Sequence, residues 1–222
     1  MKRVVRIFLH FPAVFVVWSV FSVFVLKYIP VQWTPLMLKR EIQFADDPNY
    51  RRVQEWISLS EISRDALSVI ILSEDSRFWQ HKGADVKELV YMIRAYRRGD
   101  AQLRGCSTIS QQVAKNCFTF CSDSFFRKTV ELYWTGLIEI IWGKERILEV
   151  YLNVAEMGPG IFGIEAAAQK YFHCTAKELS LYEGAALAVC MPEPLHKSPA
   201  TAWENESGRI RKLIAKMVAV PL

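Results

Sequence analysis

Twenty residues from Ile7 to Leu26 run with few polar interruptions, only His10, Pro12, Ser19 and Ser22. As a helix such a run spans about 30 Å, the thickness of a bilayer core. Pro30 and Pro35 then mark a short stiff stalk, and Ala45 to Tyr50 a polar loop. Beyond them the pattern predicts helix after helix. Ser58-Leu59-Ser60-Glu61 fits a capping box and places a helix start just before the apolar stretch Ala66 to Leu72. Val86, Leu89, Val90 and Ile93 recur at i, i+3, i+4 and i+7, an amphipathic helix that Arg98-Gly99-Asp100 ends. Thr108-x-x-Gln111 fits another capping box. Phe125 to Trp142 is a long helical pattern, Gly143 interrupts it, and Lys144 to Leu152 resumes it. Gly158-Pro159-Gly160 and Gly163 mark a turn. Either Thr175 with Glu178 or Ser180 with Glu183 starts the next helix. Pro192 and Pro194 end it, and Thr201 to Ala219 forms the last. Strand signals are weak throughout. The fold class is mostly α, one domain tethered at its N-terminus.

Charge sharpens the reading of that N-terminus. The chain carries a formal +5, and Lys2, Arg3, Arg6 and Lys27 stand in its first 29 residues without an acid. Removing those four from 28 basic residues leaves 24 against 23 acids, so the rest is nearly neutral. Three cations before the apolar run and one after it place the N-terminus in the cytoplasm and the remainder outside. A cleaved signal peptide has the same charge order, but the run is long for one and no small-x-small site follows Leu26. Tyr28 and Trp33 suit a membrane interface. Residues 1–6 therefore read as a cytoplasmic tail, 7–28 as a transmembrane anchor and 29–57 as a juxtamembrane segment. The cysteines are Cys106, Cys117, Cys121, Cys174 and Cys190, an odd count that leaves at least one free thiol. No metal-ligand spacing is present, and packing is the expected role of all five.

Four segments carry more polar residues than a plain helical domain needs. Glu74-Asp75-Ser76-Arg77-Phe78-Trp79-Gln80-His81-Lys82-Gly83 directly follows an apolar run. A carboxylate at the end of a buried helix is partly desolvated, which raises its pKa and suits it for proton transfer. Alone, such an acidic pair is more often a solvated helix end. The second segment runs from Arg104 through Gly105, Ser107 and Thr108 to Gln111, Gln112, Lys115 and Asn116. A Gly-containing loop feeding a helix start offers N–H groups to an anion, and the following turns add amide and ammonium donors with almost no acids. The third, Arg127-Lys128-Thr129-Val130-Glu131, alone reads as a surface ion pair. The fourth, Lys144 to Asn153, alone reads as an amphipathic helix.

In this order the segments resemble the family 51 glycosyltransferases, the peptidoglycan polymerases. The matching patterns are Glu-Asp-x-x-Phe-x-x-His-x-Gly at Glu74 to Gly83 and Gly-x-Ser-Thr-Ile-x-Gln-Gln-x-x-Lys-Asn at Gly105 to Asn116. Arg-Lys-x-x-Glu follows at Arg127 to Glu131, then Lys-x-x-Ile-Leu-Glu-x-Tyr-Leu-Asn at Lys144 to Asn153. Gly160-Ile161-Phe162-Gly163, Glu165-Ala166-Ala167 and Tyr171-Phe172 complete the set. The match covers roughly residues 58 to 200 and is most similar to the monofunctional Gram-negative type, which has one anchor and no transpeptidase domain.

The resemblance implies a lysozyme-like glycosyltransferase domain over 58–222 with a small jaw subdomain beside its cleft. It implies a periplasmic catalytic domain on the inner membrane. Lipid II and the growing lipid-linked glycan strand would be its substrates, and cell-wall synthesis or division proteins its partners, with no nucleic acid. Glu74 matches the catalytic base for the acceptor 4-hydroxyl, and inversion would give a β-1,4 linkage with release of undecaprenyl pyrophosphate. Lys115, Arg127 and Lys128 are candidates to neutralise the pyrophosphate, with N–H donors from the Ser107-Thr108 helix start. Glu131 matches the second Glu, which orients those cations or helps to coordinate a divalent ion (Mg or Mn); no cofactor is required. Asp75, Phe78, His81, Gly83, Arg104, Gln111, Gln112 and Asn116 complete the substrate-binding set. Cys106 replaces the usual second Gly, and Asp123 stands where many relatives place an Arg, so one contact is missing or moved to Arg104. Apolar surface near Trp33, Leu36 and Met37, or on the jaw, is expected to dip into lipid. A lysozyme-like lytic enzyme would have no use for the cation cluster, and the presence of both glutamates argues against an inactive scaffold.

Overall fold

The computed structural model describes residues 2–99, 107–120 and 125–219; Arg104, Cys106, Cys121 and Asp123 lie outside them. Helix α1 covers Lys2–Leu26 and passes through Pro12. Its side chains are described from Pro12 onward, and among the described residues no helix is long and apolar enough to cross a membrane. One face of α1 packs on the rest of the molecule. Val23 is fully buried, and the Trp142 indole N–H donates to its carbonyl at 2.6 Å. Trp18 meets Trp134 edge-on, with ring centroids 6.0 Å apart.

The segment read as a stalk contains a helix, α2 (Pro35–Gln43). The Thr34 side chain caps it, and Pro35 sits in its first turn, where a missing N–H is no loss. Met37 on α2 is fully buried, so it belongs to the core and not to a lipid-facing surface; Trp33 stays exposed. Strand β1 (Val53–Gln54) follows. The Ser58–Glu61 capping box is present but closes only a single tight turn. Helix α3 (Arg64–Glu74) begins later, at Ser63, whose hydroxyl accepts from the Ala66 N–H. Helix α4 (Val86–Arg97) lies where periodicity predicts, but its apolar face is not covered: Val86 is 63% and Leu89 48% exposed.

Helices α5 (Ile109–Phe118), α6 (Phe125–Ile141) and α7 (Lys144–Val154) follow. Strands β2 (Glu156–Gly158) and β3 (Ile161–Phe162) are joined by the predicted Gly-Pro-Gly turn. With β1 they form a small mixed sheet in the order β1-β3-β2. Strands of two or three residues are too short for alternation to show in a sequence. Helix α8 (Ile164–Phe172) precedes α9 (Leu181–Cys190), which starts at the Ser180–Glu183 box. Thr175 and Glu178 instead close a turn ahead of it. The last predicted helix is two, α10 (Ala202–Asn205) and α11 (Ser207–Ala219), parted at Glu206.

The centre of the molecule is α9, which is buried from Gly184 to Cys190. A Cβ on Gly184 would stand 2.6 Å from the Ala66 Cα, so α3 and α9 pack backbone to backbone there. Helix α5 packs against both α6 and α7, and α11 closes over α3 and α9. Cys117, Cys174 and Cys190 are free thiols. Burial pushes Cys117 up to about 12 and Cys190 up to about 11, which leaves both inert at neutral pH.

Candidate active site

Glu74 is the last residue of α3, and its backbone continues into the loop that leads to α4. The buried run Val69, Ile70 and Ile71 fixes the end of that helix, so the carboxyl emerges at the edge of the core. Gln112 of α5 donates its side-chain N–H to the Glu74 carboxylate at 2.8 Å. The buried Tyr151 hydroxyl of α7 lies close by, with no partner at hydrogen-bond geometry. Burial raises the Glu74 pKa above the usual carboxylate range, and Gln112 and Tyr151 act in the opposite direction. Glu74 lines a cavity of about 420 Å³ between α3, α4 and the start of α5. Gln112 and Tyr151 line a second cavity of about 240 Å³, together with Lys115 and Asn116. The Glu74–Gln112 pair thus joins the walls of two neighbouring cavities.

Most of the first motif holds this place together. Asp75 is buried and accepts from the Ile109 N–H at 3.0 Å, while His81 Nε2 lies 2.8 Å from it. His81 faces Lys144 through Nδ1 at 3.5 Å, and Lys144 stands 4.4 Å over the ring of the fully buried Phe78. Lys144 also pairs with Glu139 at 2.7 Å, which accepts from the Ser110 hydroxyl. Asp75, Phe78 and His81 therefore tie the ends of α3, α5, α6 and α7 into one knot. Gly83 belongs to the same knot. Its φ is +93°, and a Cβ there would stand 2.9 Å from Thr135 Cγ2.

The start of α5 is less open to an anion than its sequence implies. Thr108 and Gln111 form a reciprocal capping box. The N–H groups of Thr108, Ile109 and Gln111 donate to Gln111 Oε1, Asp75 and Thr108 Oγ1, so three donors of the helix start are already engaged. Gln111 is buried, whereas Ser107 is exposed at the rim of the larger cavity. Asn116 is buried with its Oδ1 unpartnered, and Lys115 is half-buried beside it.

On α6, Glu131 is buried and paired with Lys128, whose ammonium also reaches the Ser107 hydroxyl at 3.4 Å. Arg127 is half-buried one turn earlier. Lys128, held by Glu131, thus reaches Ser107 at the rim of the cavity that holds Glu74. Among the described residues no group of three or more His, Cys, Asp or Glu could hold a metal ion. With Lys128 against it, Glu131 does not fit a metal cage.

The other motif residues have structural partners. Asn153 accepts from the Ile57 N–H at 2.9 Å and donates back to the Ile57 carbonyl at 2.9 Å, clamping the segment after β1. Gly163, with φ +85°, passes so close to Asn153 that a Cβ would meet its carbonyl oxygen at 2.8 Å. Glu165 accepts from the Ala176 N–H at 2.7 Å. Sequence reasoning gave no role to three residues now at the site. Tyr151 lay within a quoted motif, so its buried place beside Glu74 had a signal. Arg40 of α2 forms a two-pronged pair with the buried Glu156 at 2.9 Å in the wall of the smaller cavity. Lys216 of α11 lines the larger one. Neither had a local signal, because α2, β2 and α11 meet the site only through the tertiary fold.

The chain matches a family model described as transglycosylase over residues 40–218. It is 41% identical to a biosynthetic peptidoglycan transglycosylase of Pasteurella multocida, over 82% of this chain and 75% of that protein. One of Vibrio parahaemolyticus is 52% identical over 63% of this chain and 62% of its own length. One of Bacteroides thetaiotaomicron is 37% identical over 99% of this chain and 89% of its own. The match encloses every motif and the whole lining of the cavity that holds Glu74, so the chain belongs to the transglycosylase family and is a glycosyltransferase.

Proposed function

We propose that this protein is a peptidoglycan transglycosylase that polymerises lipid II into β-1,4-linked glycan strands and releases undecaprenyl pyrophosphate. The relatives are named biosynthetic peptidoglycan transglycosylases, which supports the coarser part of that reading. The observation that carries the finer reading is the Glu74–Gln112 pair, a desolvated carboxylate held by an amide donor at the wall of a cavity.

A sugar hydroxyl is a poor nucleophile at neutral pH and needs a base. Glu74 takes the proton of the acceptor 4-hydroxyl while that oxygen attacks the anomeric carbon of the lipid-linked strand. Gln112 donates to Glu74 Oε2 and leaves Oε1 for the incoming proton. The pyrophosphate departs toward Lys115, Arg127 and Lys128, where cations stabilise the growing charge. Glu131 holds Lys128 in place by their ion pair. Ser107 contributes its hydroxyl at the rim, while Asp75, Phe78, His81, Gly83, Thr108 and Gln111 serve substrate binding by fixing the walls. The scheme requires no cofactor. Attack opposite the leaving group inverts the anomeric centre.

The same reading makes α1 a single-pass anchor with the catalytic domain in the periplasm. Its support is that one helix covers the whole apolar run, with Val17 and Phe21 more than 60% exposed on its outer face. The uncovered face of α4, with Val86, Leu89 and Val90, and exposed Trp33 are the surfaces we assign to lipid contact. Both substrates are lipid-linked, so tethering raises their effective concentration at the site.

Incubating purified protein with lipid II tests the reading. Long glycan strands should form and should be lost in Glu74→Gln. If finished peptidoglycan is cut while lipid II stays untouched, the chain is instead a lytic enzyme.

A further inference from the structure

Helix α4 touches the rest of the molecule along one narrow side. Every residue from Val86 to Arg97 is exposed except Glu88, Met92 and Ala95, and of these Ala95 alone is buried. The three stand at i, i+4 and i+7, so they share a face, and Glu88 and Met92 line the cavity that holds Glu74. Asp85 caps the helix by accepting from the Glu88 N–H at 2.9 Å, and it pairs with Arg77 of the cavity wall at 3.0 Å. The start of α4 is therefore tied to the site, while its body rests on the cavity edge with one buried side chain to hold it.

The remaining surface of α4 falls into two stripes. Val86, Leu89, Val90 and Ile93, all exposed, form an apolar stripe at i, i+3, i+4 and i+7. Lys87 and Arg94, two turns apart, form a basic stripe beside it, and Arg97 follows at the C-terminal end; all three are exposed. Glu88 is the only acid from Val86 to Arg97, and it belongs to the cavity side. An apolar stripe flanked by cations is the pattern of a helix that lies in a membrane interface. The two stripes together select the partner. An acidic protein surface would satisfy the cations and leave four apolar side chains bare, whereas a neutral bilayer would cover the apolar stripe and leave the cations without partners. An anionic bilayer meets both, with acyl chains for one stripe and headgroups for the other.

We infer that α4 is a docking helix for anionic phospholipid, and that docking sets the wall of the cavity in which Glu74 works. Lipid on the outer stripes presses the Glu88 and Met92 side onto the cavity edge, a position that one buried alanine and one ion pair leave loosely held. The inference rests on the lipid contact proposed above and adds a headgroup preference and a regulation: the charge of the membrane surface governs turnover.

The test places the full chain in vesicles of phosphatidylcholine alone or of phosphatidylcholine and phosphatidylglycerol in equal parts. Amide hydrogen exchange is followed over α4, with α3 as the internal control for an intact fold. Exchange in α4 should be about tenfold slower in the anionic vesicles, with α3 unchanged, and added salt should erase the difference. Turnover of lipid II should rise severalfold in the same vesicles. Lys87→Gln with Arg94→Gln should make the two vesicles equivalent and keep the wild-type rate in the neutral ones. Val90→Ser with Ile93→Ser should remove the protection of α4 in both. Equal exchange of wild-type α4 in the two vesicles, or protection that survives either double variant, overturns the inference. So does poly-glutamate protecting α4 as well as anionic vesicles do, since the partner is then an acidic protein. Protection of α4 without any polymerisation would sink the polymerase reading and leave this surface standing. Polymerisation indifferent to the headgroups would remove the regulation alone.

Discussion

The proposed reaction concentrates its chemistry in one carboxyl group, that of Glu74. Burial is the first cause of its raised pKa, and Gln112 and Tyr151 partly offset it. A base works only when ionised, so polymerisation should be lost as pH falls through that raised value, above the range where an exposed Glu titrates. Gln112→Ala and Tyr151→Phe each remove a group that favours the carboxylate. In a kcat against pH profile, both should therefore shift the acid limb to higher pH. The same shift has a consequence for stability. A carboxyl whose folded pKa is raised binds its proton more tightly in the folded state. Its contribution to stability therefore increases as pH falls through the folded value, and at neutral pH the ionised group is a cost. Glu74→Gln removes that charge and keeps the shape. Turnover should fall by about 10²- to 10⁴-fold, the range for losing a general base. Tm should not fall, and relief of about 1 kcal/mol would raise it by roughly 2–4 °C.

Elements set where that residue stands. The start of α5 depends on Thr108, whose hydroxyl accepts from the Gln111 N–H and donates to the Gly83 carbonyl. Thr108→Ala should cost about 1–2 kcal/mol in chemical denaturation, the range of a lost N-cap. It should also lower kcat, because Gln112 stands one turn further along the same helix, its N–H donating to the Thr108 carbonyl. At Gly83 a side chain meets both a left-handed backbone and the Thr135 methyl. Gly83→Ala should lower the unfolding free energy by about 1–3 kcal/mol, measured by chemical denaturation. Legibility at this scale followed locality. The Thr108 and Ser180 boxes start helices because the residues that define them are their own neighbours. The Ser58 box misled because Ser63 offers a second cap five residues on, and only packing of Ala66 against α9 selects it. Helix α2 was missed because Pro35 reads equally as a stalk and as a first-turn proline.

At the scale of the molecule, two apolar surfaces have no protein partner among the described residues: the outer side of α1 and the face of α4. Single exposed apolar residues are ordinary, but contiguous helix faces call for an occupant. If α1 is an anchor, charges on its outer side should release the chain. Each charge at a span centre costs about 2.5–3.5 kcal/mol of insertion. The double variant Val17→Lys, Phe21→Lys should move the protein from the membrane pellet to the supernatant, measured by flotation with liposomes. It should leave the circular dichroism melting curve of the catalytic domain unchanged. Retention of the variant on liposomes would count against the anchor.

The sequence by itself determined what is local or is carried by order along the chain. The helical class, most helix starts, the Gly-Pro-Gly turn and the family were all legible, since periodicity, caps and motif order need no third dimension. Only the tertiary structure decided which motif residues face a cavity and which tie the fold. Gln111 and Gln112 are adjacent and carry the same amide, yet one is buried in the Thr108 capping box while the other donates to Glu74. Tertiary structure also decided that Arg40, Tyr151 and Lys216, from three distant helices, share the walls of the site. The physical reason is that burial and charge contact depend on which elements pack together, and packing joins residues that sequence spacing keeps far apart.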